Sequence, residues 1–311
     1  MLAGLTVLQL AALLAAGVLL DCLLGEARRW HPLVGFGNLA GAIERRLNQG
    51  GLRHLRGALA WTLVVLPLTA TAAWIGAWAG LAAHAAMLYL ALGLRSLRDH
   101  NLPIAQALRG GDLAHARSLT ARIVSRDTAS AGPEDLAKAS AESLLENGND
   151  AVFGTLFWFA VAGGPGAVLF RLANTLDAMW GYRSERFQRF GCVAARIDDV
   201  LNFIPARLTA LSYVLLADNR ALAWRCWRSQ SPAWPSPNAG PVMASGAGAL
   251  GLALGGAAVY DGVTEQRPPL GHGHPAGAAD IERAWKLVRS TALLWLALAF
   301  TAAAIWETIH A

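Results

Sequence analysis

The apolar stretch from Ala58 to Leu94 constrains this chain more than any other part of its sequence. It contains no Asp, Glu, Lys or Arg. Because one membrane crossing needs about 20 apolar residues, the stretch predicts two membrane helices joined by a tight turn near Gly80 to His84. The segments Leu2 to Leu20 and Ser290 to Ile309 are each long enough for one further crossing. The sequence therefore predicts about four full transmembrane helices.

Composition places the whole chain in the same class. Of its 311 residues, 55% are hydrophobic and 15% are charged, whereas about a quarter of a soluble domain is charged. The net charge of +5 comes almost entirely from arginine. Positive residues accumulate in the cytoplasmic loops of membrane proteins, so the basic excess does not imply a nucleic-acid partner. The three cysteines lack CxxC spacing, and we expect no disulfide framework.

Basic residues between the apolar segments predict the orientation of the chain. Three basic loops flank the predicted membrane helices, and the excess of positive charge places all three in the cytoplasm, with both termini outside. The basic residues are Arg28, Arg29, Arg45, Arg46, Arg53 and Arg56 in the first loop, Arg95, Arg98, Arg109, Arg117, Arg122 and Arg126 in the second, and Arg283, Lys286 and Arg289 in the third.

The remaining apolar stretches predict buried helices rather than further crossings. Ala151 to Phe170 has basic loops on both sides and is broken by GGPG, so we expect a re-entrant or buried helix pair. Met243 to Tyr260 is glycine-rich, which favours close helix contact over lipid exposure. A helical segment at about 95–150 is expected on the cytoplasmic side, with a helix start at Pro133. Strand signals are weak, so the predicted fold is all-α, a polytopic integral membrane protein with a single domain over residues 1–311.

Carboxylates at helical spacing form the first candidate site. Glu142 and Glu146 are spaced i, i+4, and Asp150 continues the stripe if the helix lasts that far. Like charges on one helix face repel each other unless a cation lies between them, which indicates a Mg²⁺ or phosphate-handling site. A solvated helix face explains the same spacing, and spacing alone leaves both interpretations open.

The second candidate site is the sequence RIDDVLNFIPARLTA, in which polar side chains precede an apolar run. Asp198, Asp199 and Asn202 are followed by Pro205 and Arg207. Ionisable residues beside hydrocarbon are costly and usually pair or line a polar cavity. The upstream sequence adds Arg171, Asn174, Asp177, Tyr182 and Arg183. Because so many polar groups recur here, a functional cavity is favoured over a salt-bridge network that only fastens helix ends.

Two shorter motifs are ambiguous. Arg126 and Asp127, in the sequence SRD, either bind phosphate or cap a helix. His272 and His274, in the sequence GHGHP, either bind a metal or belong to a mobile Gly/Pro loop, and the loop is the favoured interpretation. The sequence contains no Walker A, dinucleotide-binding or Ser-His-Asp signature.

Four long blocks resemble a known family. They are DCLLGEARRWHPLVGFGNLAGAIE, SRDTASAGPEDLAKASAESLLENGNDAVFGTLFW, NTLDAMWGYRSERFQRFGCVAARIDDVLNFIPARLTA and SPNAGPVMASGAGALGLALGG. In this order they are similar to the CobD/CbiB family of cobalamin-biosynthesis membrane proteins. The resemblance covers most of the chain, and the blocks ESLLEN, NTLDAMWGYR and DDVLNFIPARLTA are the most specific. The region 53–94 and the GHGHPAGA insert are the least family-like parts.

The resemblance implies an ATP- and Mg²⁺-dependent amide ligase, adenosylcobinamide-phosphate synthase. Such an enzyme joins a propionate carboxylate of adenosylcobyric acid to the amine of aminopropanol or of its O-phosphate. It also implies a multi-pass protein of the bacterial inner membrane, in contact with lipid and with other corrinoid-pathway enzymes, whose active site faces the cytoplasm. Two other classes are weighed against it. One is a non-catalytic membrane sensor related to the β-lactamase-regulation branch of the superfamily, and the other is a transporter, which the lack of an internal repeat disfavours.

Under this resemblance each candidate residue receives a hypothetical role. Transfer of a phosphoryl group needs Mg²⁺ and arginine to offset developing charge, and amine attack needs a general base. The catalytic candidates are Glu142, Glu146, Asp198 and Asp199, and the metal candidates are Glu146, Asp150 and Asp198. The substrate- and phosphate-binding candidates are Arg126, Asp127, Asn147, Asn174, Asp177, Arg183, Arg196, Asn202 and Arg207. Adjacent helical residues point about 100° apart. We therefore expect Asp198 to face the metal side with Asn202, and Asp199 to pair with an arginine such as Arg196 or Arg207.

Overall fold

The structure, a computed structural model, describes residues 4–26 and 31–310. Arg28 and Arg29 of the first predicted loop lie outside these residues. The helices are α1 (Val7–Leu24), α2 (Pro32–Leu47), α3 (Arg53–Ala91), α4 (Leu94–Arg109), α5 (Leu113–Thr120), α6 (Pro133–Gly148), α7 (Gly154–Trp180), α8 (Cys192–Leu216), α9 (Arg220–Gln230), α10 (Ala239–Leu250) and α11 (Ala278–His310). A π-helical turn lies at Asn149–Phe153 and a 3₁₀ turn at Ser231–Ala233. Three short strands are β1 (Leu252–Tyr260), β2 (Val263–Leu270) and β3 (His274–Pro275). The fold is therefore mostly helical, as predicted, but it is not all-α.

The chain divides into two compact units. The first comprises Met1–Gly93, Asp150–Asn202 and Leu296–Ala311. The second comprises Leu94–Asn149 and Phe203–Trp295.

In the described part of the chain, five helical stretches are long and apolar enough to cross a membrane, as expected for a membrane protein. They are Val7–Leu24, Arg53–Arg109, Pro133–Trp180, Cys192–Leu216 and Ala278–His310. The third and fourth were not among the predicted crossings. The third contains Ala151 to Phe170, which was predicted as a re-entrant or buried helix pair, and the first turns of the fourth carry the polar residues of the second candidate site. The number of crossings and the side that each loop faces stay predictions.

Helix α1 starts and ends later than its apolar run suggested. Thr6 caps it: its side chain accepts a hydrogen bond from the Gln9 amide at 3.1 Å, and the Gln9 side chain accepts one from the Thr6 amide at 3.0 Å. This reciprocal capping box satisfies amides that the first turn leaves without partners. At the other end Gly25 has a φ of 67°, which stops the helix.

Helix α3 contains the predicted turn. Gly80 has a φ of 62° and a ψ of −141°, values that glycine adopts without strain, and the chain reverses there. A Cβ atom placed on Gly76 would lie 3.2 Å from Nε2 of His84, whereas residues at this separation in a straight helix are about 12 Å apart. The apolar run is thus a helical hairpin, as its length predicted.

Helix α7 is the expected buried helix pair. It breaks at Ala162 and Gly163, where Gly163 has a φ of 63°. A Cβ atom on Gly154 would lie 2.2 Å from Cζ of Phe170, so the two arms pack side by side and only glycine fits at this position. The two hairpin turns also meet, because the amide of Gly164 donates a hydrogen bond to Nδ1 of His84 at 2.8 Å.

The core of the first unit lies where α2, α3 and α7 pack together. Trp61, Trp180 and Phe190 are all buried in one hydrophobic cluster. The rings of Trp180 and Phe190 meet edge-on with centroids 5.1 Å apart, an arrangement that aromatic pairs favour. A Cβ atom on Gly57 would lie 1.9 Å from the Phe190 carbonyl oxygen, so the absent side chain allows this close approach.

Pro205 interrupts the backbone hydrogen bonds of α8. A proline has no amide hydrogen, so the carbonyl four residues earlier, that of Leu201, loses its helical donor. The indole Nε1 of Trp158 donates to that carbonyl oxygen at 2.9 Å. Thus the free backbone acceptor is satisfied by a side chain from α7, which fastens α7 to the polar part of α8.

The glycine-rich stretch Met243 to Tyr260 divides between two elements. Its first half lies in the buried helix α10, where glycine allows close packing as expected. A Cβ atom on Gly246 would lie 2.6 Å from the Leu145 side chain, and one on Gly248 would lie 2.8 Å from Cα of Ala223. Its second half forms β1, which the sequence analysis did not predict.

The small sheet has the order β2-β1-β3. Strands β1 and β2 are antiparallel and joined at Asp261 and Gly262, whose φ values are 49° and 76°. Positive φ at both central residues is typical of a type I′ hairpin turn, for which Asp-Gly is a preferred sequence. The Asp-Gly pair was therefore a strand signal that our reading of the sequence missed.

The GHGHP segment is anchored, so its interpretation as a mobile loop was wrong. The Gly271 amide donates to Oε1 of Gln230 at 2.7 Å, and Nε2 of Gln230 donates to the Gly271 carbonyl at 2.9 Å. The His274 amide donates to the Gly251 carbonyl at 3.2 Å. A pair of side-chain hydrogen bonds and a backbone pairing with β1 hold the segment in place, while the imidazoles of His272 and His274 are exposed.

Candidate functional site

The predicted site residues divide between the two units. The first unit contains Asp150, Asn174, Asp177, Arg183, Arg196, Asp198, Asp199 and Asn202. The second contains Arg126, Asp127, Glu142, Glu146, Asn147 and Arg207. The structure therefore presents two polar clusters, one in each unit.

The cluster in the first unit is centred on Asp198. This carboxylate is buried, at 7% exposure, and both its described hydrogen-bond donors are amides. Nδ2 of Asn202 lies 3.0 Å from Oδ2 of Asp198, as the i, i+4 spacing on α8 requires. Nδ2 of Asn174, on α7, lies 3.4 Å from Oδ1. Asp198 and Asn202 therefore share one helix face and are hydrogen-bonded to each other.

Further carboxylates surround Asp198. Asp150 and Asp177 are both close enough to interact with it electrostatically. Asp177 lies on α7 three residues after Asn174, and Asp150 lies in the π-helical turn that precedes α7. Like charges gathered in a partly buried place repel each other, so this cluster is suited to receive a cation.

Asp199 has a different surrounding from Asp198, as the geometry of adjacent helical residues predicts. It interacts electrostatically with the guanidinium groups of Arg196 and Arg183. Arg196 is exposed and Asp199 is half-buried. The expected arginine partner is thus Arg196, but the pair lies at the surface of its unit rather than in the interior.

The predicted stripe of three carboxylates on α6 does not continue to Asp150. The helix ends at Gly148, and Asp150 lies in the π-helical turn. A π turn takes more residues than an α turn, so it rotates the following side chains off the i, i+4 face. Single π turns are frequent at functional sites, and Asp150 lies in this one.

The cluster in the second unit is centred on Glu142. This carboxylate is 2% exposed and accepts hydrogen bonds from three directions. Arg267 donates through Nη1 to Oε2 at 3.0 Å and through Nη2 to Oε1 at 3.1 Å. Arg126 pairs with Oε2, and the Gly255 amide donates to Oε1 at 2.7 Å. Two cations and a backbone donor therefore compensate the charge of Glu142.

The sheet makes the Glu142 cluster possible. The register of β1 and β2 shifts between Gly255 and Gly256, a bulge at which both residues have positive φ. The bulge leaves the Gly255 amide outside the ladder, so it is available to Glu142. Burial by itself would lower the pKa of Arg267, but the adjacent Glu142 carboxylate outweighs burial and raises that pKa. Arg267 therefore stays charged.

Sequence reasoning missed Arg267. It lies in β2, between the acidic Glu265 and a Pro-Pro pair, and no helical periodicity linked it to α6. Its signal was the Asp-Gly turn, because a hairpin there brings β2 back toward the chain that precedes it. The pairing with Glu142 is distant in sequence, so no local pattern could have identified it.

The other candidates of the second unit also have described contacts. Oδ2 of Asp127 accepts a hydrogen bond from the Gly262 amide at 2.7 Å, which ties the SRD motif to the hairpin turn. Arg207 donates to Oδ1 of Asn238 at 2.7 Å and to the Pro237 carbonyl at 3.0 Å. These contacts give both residues a structural part, and their roles in binding substrate stay predictions.

Asn147 lines a polar cavity of about 220 Å³ within the second unit. Its Nδ2 donates to the Ser143 carbonyl at 3.0 Å. The same cavity is lined by His100 and Arg122, which the sequence analysis did not select as site residues. Both lie in segments whose basic residues had been used only to predict orientation.

In the described residues, no group of three or more His, Cys, Asp or Glu side chains is arranged to hold a metal ion. Mg²⁺ commonly uses only one or two carboxylates together with waters and substrate phosphates. The oxygen-rich surroundings of Asp198 fit such a partly protein-bound ion. Of the predicted metal residues, Asp150 and Asp198 share the first unit, whereas Glu146 belongs to the second.

Known proteins are similar in sequence to this chain over most of its length. The profile of the family described as CobD/Cbib protein matches residues 14–288. The cobalamin biosynthesis protein CobD of Stutzerimonas stutzeri is 57% identical over 90% of this chain and 93% of its own length. The protein of the same name from Chromobacterium violaceum is 53% identical over 97% and 99%, and that of Mycobacterium tuberculosis is 38% identical over 88% and 91%. No solved structure matches the chain significantly. These matches lead to one conclusion: the chain belongs to the CobD/CbiB family of cobalamin-biosynthesis proteins.

Proposed function

We propose that this protein is an adenosylcobinamide-phosphate synthase. It joins a propionate carboxylate of adenosylcobyric acid to the amine of aminopropanol or its O-phosphate. ATP is cleaved to ADP and phosphate, the carboxylate loses one oxygen to that phosphate, and the amine nitrogen loses a proton as the amide forms. Membership of a cobalamin-biosynthesis family supports the pathway. The observation that carries the reaction is the cluster of carboxylates and amides around Asp198.

The carboxylates of the first unit have the chemistry that this reaction needs. Asp198 and Asp150 provide hard oxygen ligands, and the amides of Asn174 and Asn202 hold the Asp198 carboxylate in one orientation. When bound, Mg²⁺ neutralises charge on the transferring phosphoryl group. A neighbouring carboxylate, Asp177 or Asp199, accepts a proton from the ammonium group of the amino alcohol. The neutral amine that results is the nucleophile.

Arginines beside the cluster bind the anionic parts of the substrates in this proposal. Arg183 and Arg196 interact electrostatically with Asp199 and lie at the surface of the first unit, where phosphate oxygens have access. Arginine is well suited to phosphate because its planar donors bind two oxygens together. Glu142 receives a positioning part instead, since its oxygens are already engaged by Arg126, Arg267 and a backbone amide.

The proposed setting is the bacterial inner membrane with the site open to the cytoplasm. ATP and an amino-alcohol phosphate are charged, and both are cytoplasmic, so the reaction needs a water-accessible cavity on that side. Arg45 and Arg53 are among the residues that carry the predicted inside-positive charge. The partners of the protein are then the corrinoid, the amino alcohol, lipid and other enzymes of the corrinoid pathway.

An assay with purified protein in detergent tests the proposal. Adenosylcobyric acid, aminopropanol O-phosphate, ATP and Mg²⁺ are supplied, and the product mass and ADP release are measured together. Formation of the amide with one ADP per product supports the proposal. Tight binding of the corrinoid without any amide or ADP would instead support the non-catalytic sensor, and no binding at all would contradict both.

A further inference from the structure

The first unit contains an apolar cavity that the proposed reaction does not use. Its volume is about 400 Å³, within the range of about 300–1,000 Å³ that small-molecule sites occupy. It lies between α2, both arms of the α3 hairpin and α7, with walls formed by residues such as Phe36, Met87 and Leu172. Among the described residues that line it, only Thr71 and Arg171 carry a polar side-chain group.

These two polar groups differ in what they can offer a ligand. The Thr71 hydroxyl donates to the Pro67 carbonyl in its own helix at 2.8 Å, so its hydrogen is already used. Arg171 has five N–H donors. Among the described residues its guanidinium makes one hydrogen bond, 3.4 Å long, from Nη1 to Oδ1 of Asn174. Its buried Nε has no hydrogen-bond partner in that part of the chain.

A guanidinium with so few partners in an apolar wall indicates a missing anionic group. Asp150 and Glu26 contribute negative charge within electrostatic reach of Arg171. The buried Nε of Arg171 nevertheless has no hydrogen-bond partner among the described residues, and a buried donor without a partner costs about 1–3 kcal/mol. A phosphate or carboxylate of a ligand would accept from Nε and the η nitrogens together, which is the geometry that arginine recognises.

The position of the cavity along the helices indicates the shape of the ligand. Its lining residues on α3 run from Leu68 to Ile75 on one arm and from Met87 to Ala91 on the other. Arg171 is near the base of the hairpin, where its Nη2 lies 3.8 Å from a Cβ position at Gly93. The cavity thus continues from the guanidinium for about 10 Å toward the hairpin turn, at 1.5 Å per helical residue. A ligand that fits has an anionic head and an apolar tail.

The rim of the cavity opens onto the apolar outer surface of the first unit. Leu39, Leu68 and Ile75 line it and are 43%, 38% and 38% exposed. They belong to or adjoin a helix that is long and apolar enough to cross a membrane, where the neighbouring molecules are lipid chains. We propose that this cavity binds one acyl chain of an anionic membrane lipid, with the lipid headgroup held by Arg171.

Lipid titration followed by native mass spectrometry of the detergent-solubilised protein tests this proposal. The probes are phosphatidylglycerol, which is anionic, and phosphatidylcholine, which is zwitterionic. We expect the wild-type protein to retain one phosphatidylglycerol per chain and to bind phosphatidylcholine at least tenfold more weakly. Equal binding of the two lipids would overturn the assignment of the headgroup to Arg171, and this comparison requires no variant.

Matched variants test the cavity itself. Ala72→Phe fills the lined space, whereas Ala73→Phe makes the same change at an exposed neighbour that does not line it. Ala72→Phe and Arg171→Gln should each weaken phosphatidylglycerol binding at least tenfold, and Ala73→Phe should leave it unchanged. Thermal unfolding of each variant shows that loss of lipid is not loss of fold. Unchanged lipid binding in a folded Ala72→Phe protein would contradict the proposal.

A competition experiment separates this site from the proposed active site. Adenosylcobyric acid added in excess should leave the bound phosphatidylglycerol in place, because the cavity walls are apolar and the corrinoid carries many polar groups. Displacement of the lipid by the corrinoid would show that the cavity belongs to substrate binding and would overturn the lipid assignment. The proposal does not depend on amide synthesis, so it survives or fails independently of the proposed function.

Discussion

Glu142 and Asp198 are buried carboxylates on long helices, but their surroundings are opposite. Glu142, in the second unit, meets two guanidinium groups and a backbone amide. Asp198, in the first unit, meets two amide side chains and interacts with two further carboxylates, Asp150 and Asp177. The protein neutralises the first charge from its own residues. Around the second it gathers more negative charge, which a bound cation would have to offset.

This difference predicts different roles for two carboxylates that the sequence could not distinguish. Both residues entered as catalytic candidates because each lies in an acidic, helical context. A compensated carboxylate stabilises the fold and has no free oxygen for a ligand. A carboxylate held among other carboxylates costs stability, and such costs usually occur at functional sites. Four substitutions test the comparison, in order of expected effect.

Glu142→Gln should have the largest effect on stability. It leaves Arg126 and Arg267 buried without their counter-charge, and breaking a buried pair costs roughly 3–5 kcal/mol. A denaturant titration of the protein in detergent measures the loss of unfolding free energy. The matched control is Glu134→Gln, an exposed carboxyl in the first turn of the same helix, which should change stability by less than about 1 kcal/mol. Wild-type stability in Glu142→Gln would remove the structural half of the comparison.

Asp198→Asn should have the largest effect on activity. The substituted amide keeps the shape of the side chain but loses a ligand for a cation, and we expect amide formation to fall by roughly 10²–10⁴-fold. Stability should change by only about 1 kcal/mol, since two hydrogen bonds are rearranged rather than a charge stranded. Asp218→Asn, in an exposed loop, is the control. Full turnover in the Asp198 variant would exclude this carboxylate from the chemistry.

Asp199→Asn should change the stability of the protein only slightly. A buried arginine partner would make the loss of the Asp199 carboxylate costly. Arg196 is exposed, and exposed ion pairs contribute about 0–1 kcal/mol. Parallel unfolding measurements on both variants decide the order. If the Asp199→Asn variant unfolds at a much lower denaturant concentration than the Asp198→Asn variant, the pair with Arg196 is stronger than its exposure implies.

The smallest effect concerns Glu44, a buried carboxyl outside the candidate membrane spans. Burial by itself raises the pKa of Glu44, but hydrogen bonds from Arg186 and Asn48 outweigh it and lower that pKa below its ordinary 4.5. Because the pKa of Glu44 is lower in the folded state than its ordinary 4.5, ionised Glu44 stabilises the folded protein above pH 4.5. This contribution is lost as the pH falls through the pKa of the folded state. Because Arg186 is largely exposed, the contribution is at most about 1 kcal/mol.

Arg186→Gln tests this contribution. The variant should be less stable than wild type at pH 7, and the difference should shrink as the pH falls below 4.5. Arg189→Gln, an exposed arginine three positions further along the chain, is the control and should follow the wild type at every pH. A gap between wild type and Arg186→Gln that grows on acidification would have the wrong sign and would contradict the pairing.

Local chemistry made much of the helical structure predictable. The hairpin at Gly80 followed from an uncharged run too long for one crossing, and the buried pair in α7 followed from its glycines and proline. The start of α6 at Pro133 followed from helix-end preferences. In each case a few neighbouring residues decide the backbone, so a single sequence contains the information.

The sheet and its partner residues were not predictable in the same way. Strand β1 is rich in glycine and alanine and β2 contains a Pro-Pro pair, all of which disfavour strands. The strands exist because of pairings across the chain, such as Gly255 and Arg267 with Glu142. Asp198 was identified as a candidate by its polar neighbours, but its difference from Glu142 depends on tertiary contacts alone.

The hydrogen bond between His84 and Gly164 has a consequence for how the chain assembles. It joins the tips of two hairpins that are 80 residues apart in sequence. Each hairpin closes locally, whereas the tip contact must wait for the long connection between them to be restricted. We therefore expect the α3 hairpin to insert into the bilayer before α7 does, and the contact between the two tips to form only after α7 has folded. During synthesis, His84 would then act as a docking point on an early insertion product, and its loss would appear as slower assembly rather than as a changed native fold.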